Sequence, residues 1–332
     1  MIRKLGNRNL LLILLALLVV FGIFRYISNK KGENTFQTAI IPKLDTNKID
    51  GMMIFPGRMQ VGIRGNLYNQ PFIFSRKGDK WYISQNDVHS SAELRSVAYV
   101  ISQLEKISPD RLGSNNPKDW KEYCVNDSLG TRVVLLYGKD TALDVMVGRF
   151  SYVASQKQAI SYMRLRGQKE VYAVDGFLSL NITEDFDAWR NKKVMPGDYP
   201  TWTKLTFTYP ADSGFIISKD SNEQWVFADG TKPDSATAAN IIKDINNQNY
   251  GTFVNNFDVN GKQALFTMKV EGSDFTPVLV KAYPADSINK YAITSSLNPE
   301  SFFSGNKGGM FSKVFLGKRA FIKKENKKKG KK

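Results

Sequence analysis

One histidine, one cysteine, two S-x-x-K matches beyond the first 33 residues and one acidic-aromatic cluster are the residues of this 332-residue chain whose types could do chemistry. His89 lies in the polar stretch NDVHSS. A histidine triad or a zinc site would have to be built on it with no second histidine and a single cysteine, so it reads as an exposed loop residue before a helix. Cys124, in KDWKEYCVND, reads as a small buried apolar side chain and not as a thiolate nucleophile. Acyl-serine chemistry needs its serine at a helix start with the lysine one turn on. Ser287–Lys290 falls between expected strands and Ser304–Lys307 in the glycine-rich SGNKGG, so both read as accidental.

Glu184, Asp185 and Asp187 precede Trp189 and Arg190. Paired carboxylates can transfer protons or hold a divalent cation. They also complement the dipole of a helix first turn, and Arg190 is close enough to pair with one of them. The structural reading is preferred, and a hydrolase centred on Glu184 and Asp187 ranks last among the functions considered. No P-loop is present, so ATP hydrolysis would belong to a partner. The expectation is a non-enzymatic protein with no catalytic, cofactor or metal residue.

The elements that must position these residues show an internal repeat. FIFSRKGDKWYIS (72–84) and FIISKDSNEQWVFA (215–228) each read as strand, polar turn and a second strand carrying a tryptophan, Trp81 or Trp225. Each is followed by a helix, over 91–107 and over 235–251. An offset of 144 places Leu94, Val97, Ala98 and Ile101 on Ala238, Ile241, Ile242 and Ile245, an i, i+3, i+4, i+7 stripe. Ser90 with Glu93 reads as a capping box, and Asp234 as the N-cap of the second helix. Both halves continue in period-two runs: 131–138, 143–148, 159–166 and 170–175, then 264–270, 277–283 and 290–296. MPGDYPTW (195–202) is the natural boundary. The fold class is therefore α+β: a membrane helix, then two related lobes, 34–195 and 196–322, each a mostly antiparallel sheet with one main helix. A lysine-rich tail, 323–332, reads as disordered.

Residues 1–33 read as a basic flank and signal-anchor. Leu10–Phe24, LLLILLALLVVFGIF, has no polar side chain, and flanking residues extend it towards the roughly 20 needed to span a bilayer. The following RYISNKKGEN lacks a small-x-small cleavage pattern. Only nine residues precede the run, so the simpler arrangement has the N-terminus in the cytoplasm and the large C-terminal part exported across the inner membrane. The net charge of +16 sits at the ends. Residues 1–33 carry +5, six basic side chains against Glu33, and 323–332 carry +6, seven lysines against Glu325. The middle is ordinary, which argues against a nucleic-acid partner. Arg25, Lys30, Lys31, Lys327, Lys328 and Lys329 are the side chains placed to lie on anionic lipid.

VGRFSYVASQKQAISYMRLRGQKEVYAVDGFLSLNITEDFDAWRNKKV, with the anchor and DKWYI upstream, resembles the bacterial domain of unknown function 4340 family over residues 45–322. The resemblance implies a single-pass envelope protein accompanying ABC-transporter components of the gliding-motility auxiliary type, and carries no catalytic residues. Four tripeptides, at Ser128, Thr141, Ser235 and Ser287, look like Asp-Ser/Thr O-glycosylation acceptors of exported proteins. The leading expectation is an accessory or extracytoplasmic subunit of an ABC-transporter-type complex. The alternative is an envelope glycan- or lipid-binding module using Trp81, Trp225 and Trp202 as stacking platforms, although the strand positions of the repeat tryptophans, Trp81 and Trp225, suit a core and make burial the default.

Overall fold

The structure is a computed structural model that describes residues 43–57, 70–154, 157–182, 185–247, 252–306 and 309–322. The apolar run Leu10–Phe24, the six basic residues expected to lie on lipid, Glu184 and Lys307 lie outside these. Among the described residues no helix is long and apolar enough to cross a membrane.

The chain begins with β1 (Gly51–Phe55), β2 (Phe72–Lys77), β3 (Lys80–Gln85), β4 (Val88–Ser91) and helix α1 (Leu94–Glu105). It continues through β5 (Pro109–Ser114), β6 (Thr131–Tyr137), β7 (Asp140–Val153), β8 (Gln158–Leu165), β9 (Val171–Asp175) and the one-turn α2 (Leu178–Asn181). Next come β10 (Trp202–Thr208), β11 (Phe215–Lys219), β12 (Trp225–Phe227) and α3 (Ser235–Asn246). Last are β13 (Phe266–Gly272), β14 (Val278–Pro284), β15 (Tyr291–Ser295), β16 (Asn298–Ser304) and α4 (Met310–Val314). This is an α+β chain, mostly antiparallel sheet with few helices.

Two compact units are interleaved along it. The first takes 101–182 with the described residues around 43–49; the second takes 50–56, 70–100 and 185–322. In the first, β6, β7, β8, β9 and β5 lie side by side. β7 is fourteen residues long and breaks register between Val147 and Phe150. Gly148 sits in that break because a Cβ there would come within 2.1 Å of the Tyr123 carbonyl oxygen. The bulge re-aims Arg149 and Phe150 relative to the rest of the strand.

In the second unit β4, β3, β2 and β1 form one meander, and β12, β11, β10, β13, β14, β15 and β16 form a seven-stranded antiparallel sheet. Leu205 and Phe207 of β10 alternate inward, Trp202 joins them across a register shift before Lys204, and all three pack with Ile217, Phe227, Ile242, Met268, Val280 and Phe321 in one continuous core. Each such buried side chain contributes on the order of 1.5–3 kcal/mol. Asp234 caps α3, accepting from Thr237 N at 2.9 Å.

Three sequence readings need correction. The repeated helices do not align at an offset of 144. α1 buries Val97, Val100, Ile101 and Leu104, α3 buries Ala238, Ile242 and Ile245, and Leu94 and Ala98 are exposed. The buried faces agree three residues earlier, with Val97, Ile101 and Leu104 matching Ala238, Ile242 and Ile245. The hairpin tryptophans keep 144, while the first hairpin strand matches at 143: the buried cross-strand pair Phe74–Ile83 stands as Ile217–Phe227 does, the second turn being one residue longer. The longer link before α1 contains β4, which the sequence did not show. The Ser90–Glu93 capping box is absent, because Ser90 belongs to β4 and bonds the Ser301 hydroxyl at 2.8 Å. Glu93 alone reaches the helix start, at 3.4 Å from Arg95 N. His89 is exposed as read, but on strand β4 opposite Ser84 and not in a loop.

Candidate functional site

The residues singled out for chemistry are not brought together. Cys124 is buried in a left-handed conformation (φ 57°), and burial pushes its thiol up, with only partial relief from the Arg149 charge. Ser287 is in an exposed turn where Asp286 accepts from Ile288 N and Asn289 N, so no helix presents it to Lys290. Ser304 is buried at the end of β16. Asp185 caps the short turn Phe186–Ala188, and Asp187 accepts from Arg190 at 3.0 Å. The acidic cluster is thus spent on a turn and an ion pair. Trp81 and Trp202 are buried, and Trp225 is half-buried beneath the Lys219 ammonium. Among the glycosylation-like residues, Ser128 and Ser287 are exposed in turns, and Ser235 is exposed as the first residue of α3. Thr141 is exposed in β7, opposite Leu136, and not in a turn.

What the first unit does present is an open groove of about 760 Å³ at one end of β7, β8 and β9. Its aromatic side comes from Tyr152 and Phe177, which are 56% and 51% exposed, unusual for rings of that size. Phe177 is fixed by local structure. Gly176 takes a φ of 103° and donates to Ala159 O at 2.8 Å, turning the chain out of β9. Phe177 O then accepts from Leu180 N and Asn181 N to start α2, and the ring stacks on Phe150 at 5.6 Å and 19°. The Ser161 hydroxyl, beneath, accepts from Ser179 N at 3.2 Å and lies 3.1 Å from Gly176 O. The polar side of the groove comes from Asp110 and Arg111 (3.0 Å apart), Gln158 and Asp175.

A family model described as domain of unknown function DUF4340 matches residues 81–264, more than half of the chain. The chain belongs to the DUF4340 family. It matches no curated protein and no solved structure. The DUF4340 segment begins at the first hairpin tryptophan, Trp81, and contains every groove residue and both long helices.

Exposed rings beside carboxylate, amide and guanidinium groups can stack on a flat apolar face while bonding hydroxyls around its rim. Sequence reasoning looked for that chemistry in Trp81, Trp202 and Trp225. It missed Tyr152 and Phe177 because their exposure depends on the β7 bulge and the Gly176 turn. Strand alternation gave no signal, because the same-face neighbours of Tyr152, Phe150 and Ala154, are apolar.

Proposed function

We propose that this chain is a non-enzymatic, membrane-tethered binding protein of the cell envelope, serving as an accessory subunit of an ABC-transporter-type complex. Leu10–Phe24 is the tether, and the exported part is the folded α+β region. The transporter link follows from the resemblance stated above. The observation that carries the binding role is the Tyr152–Phe177 groove, whose rings stand in solvent where a core would normally take them. The order of elements also supports an internal duplication: a meander carrying the tryptophan hairpin, a twelve-residue helix and a four-stranded meander occur twice, with β4 and β5 added in the first copy. Crosslinking the full chain in membranes, followed by detergent extraction and capture, tests the transporter link. Recovery of ABC-type membrane components is expected, and their consistent absence contradicts it.

The groove favours a second reading of the ligand as envelope glycan, with Tyr152 and Phe177 in place of the buried tryptophans. Titration of the full chain with soluble envelope oligosaccharide should then show saturable binding, weakened about three- to tenfold by Phe177→Ala. Indifference to that substitution removes the groove from the account.

A further inference from the structure

We infer that a second cavity of the first unit, of about 310 Å³ beside Trp120, binds the phosphate monoester group of a ligand. It is separate from the aromatic groove and does not depend on the function proposed above.

Arg164 forms its floor. It follows Tyr162 on the inward face of β8, an unusual place for a charge, and its side chain is only 4% exposed. Nε and Nη2 both donate to Val125 O, at 3.2 and 3.1 Å, and Nη1 donates to Gln168 O at 3.2 Å. The guanidinium lies 3.8 Å over the Trp120 ring. Trp120 is itself pinned, donating from Nε1 to Lys169 O at 3.0 Å. The fork is therefore rigid. It has five N–H groups, and those contacts engage three of them, leaving one on each terminal nitrogen.

The charge around it is unbalanced. Arg164, Arg166 and Lys169 line the cavity against one carboxylate, Asp127. Asp127 is 71% exposed, stands 3.9 Å from Arg164 and is shared with Arg166 at 3.3 Å. A guanidinium withdrawn from water without a hydrogen-bonded anion is costly, and burial correspondingly weakens the hold of Arg164 on its proton. An incoming oxyanion completes the fork. A phosphate monoester carries about −1.5 to −2 at neutral pH, matching the surplus of two positive charges where a carboxylate supplies only one. The indole and Pro117 form an apolar wall for the group attached to the phosphate.

The test uses the full chain in neutral detergent micelles and reads tryptophan fluorescence, with Trp120→Phe as the signal control. The probes are phenyl phosphate, dihexanoyl phosphatidic acid and benzoate. Saturable phosphate binding is expected, with Arg166→Gln and Lys169→Gln each about tenfold weaker and Asp127→Asn no weaker, because Asp127 competes with the ligand. Both substituted cations are exposed, so thermal unfolding should be unchanged. Tighter binding of the phosphatidic acid assigns the group to a lipid, and tighter binding of phenyl phosphate to a soluble ester. No binding of either phosphate, indifference to both cation substitutions, or equal binding of benzoate overturns the inference.

Discussion

The two units handle aromatic and charged side chains differently. In the core of the second unit they are enclosed, although Tyr99 on α1 is 49% exposed. Phe207 stacks on Phe215 at 4.5 Å and meets Phe321 edge-on at 6.2 Å, and the half-buried Tyr209 donates to Leu316 O at 2.8 Å. Arg190, 2% exposed, has Asp187 at 3.0 Å, Asn255 at 2.8 Å and the Phe253 ring at 3.6 Å. In the first unit Tyr152 and Phe177 face solvent, and the equally inaccessible Arg164 opens onto a cavity with its carboxylate 3.9 Å away. A buried arginine that has its own anion is a structural cross-link. One whose nearest anion is not hydrogen-bonded to it, beside an empty volume, is a place for a ligand.

That contrast can be broken by substitution, and the largest effect belongs to the enclosed core. Phe207→Ala should cost about 3–5 kcal/mol in urea unfolding, whereas Phe177→Ala in the groove should cost under about 1 kcal/mol. Equal costs would mean that the groove is packed as a core is. Next, Asp187→Asn strands the Arg190 charge and should cost about 3 kcal/mol, while Asp127→Asn should be within about 0.5 kcal/mol of wild type. A silent Asp187→Asn would remove the distinction between the two arginines.

Smaller and pH-dependent is Tyr209, whose phenol burial pushes well above its ordinary range. The folded pKa is raised, so its stabilisation is complete below the unfolded value of about 10 and is lost as pH rises above it. Tyr209→Phe should cost about 1 kcal/mol at pH 7, from the lost bond to Leu316, and flatten the alkaline decline in stability. An unchanged alkaline decline contradicts the enclosed setting. The smallest effect tests the helix alignment: Ala98→Lys should change stability by less than about 0.5 kcal/mol, though its counterpart at an offset of 144 is the buried Ile242.

Period-two alternation located seven strands, from Thr131–Tyr137 to Tyr291–Ser295, and the Asp234 cap of α3 was equally plain. β4 and β16 were hidden because VHSS and NPESFFS are polar or proline-bearing. Their burial comes from hydrogen bonds across the chain, Ser90 to Ser301 and Ser91 to Asn298. Helical periodicity showed that both helices were amphipathic but could not fix their relative phase, since an apolar stripe overlays its neighbour equally well one turn away. The same limit applied to the sites. Trp120 and Arg164 are 44 positions apart, and only the path of the sheet makes them neighbours. The available hint was MRLRGQKE, where strand alternation puts Arg164 on the face of Tyr162.

The most direct test of the open-versus-enclosed distinction is an Nε–Hε correlation spectrum of arginine-¹⁵N-labelled full chain in nanodiscs, titrated with phenyl phosphate. The Arg164 resonance, assigned through Arg164→Lys, should move saturably while that of Arg190, assigned through Arg190→Lys, stays in place. A stationary Arg164 signal, or both signals moving together, would contradict the account.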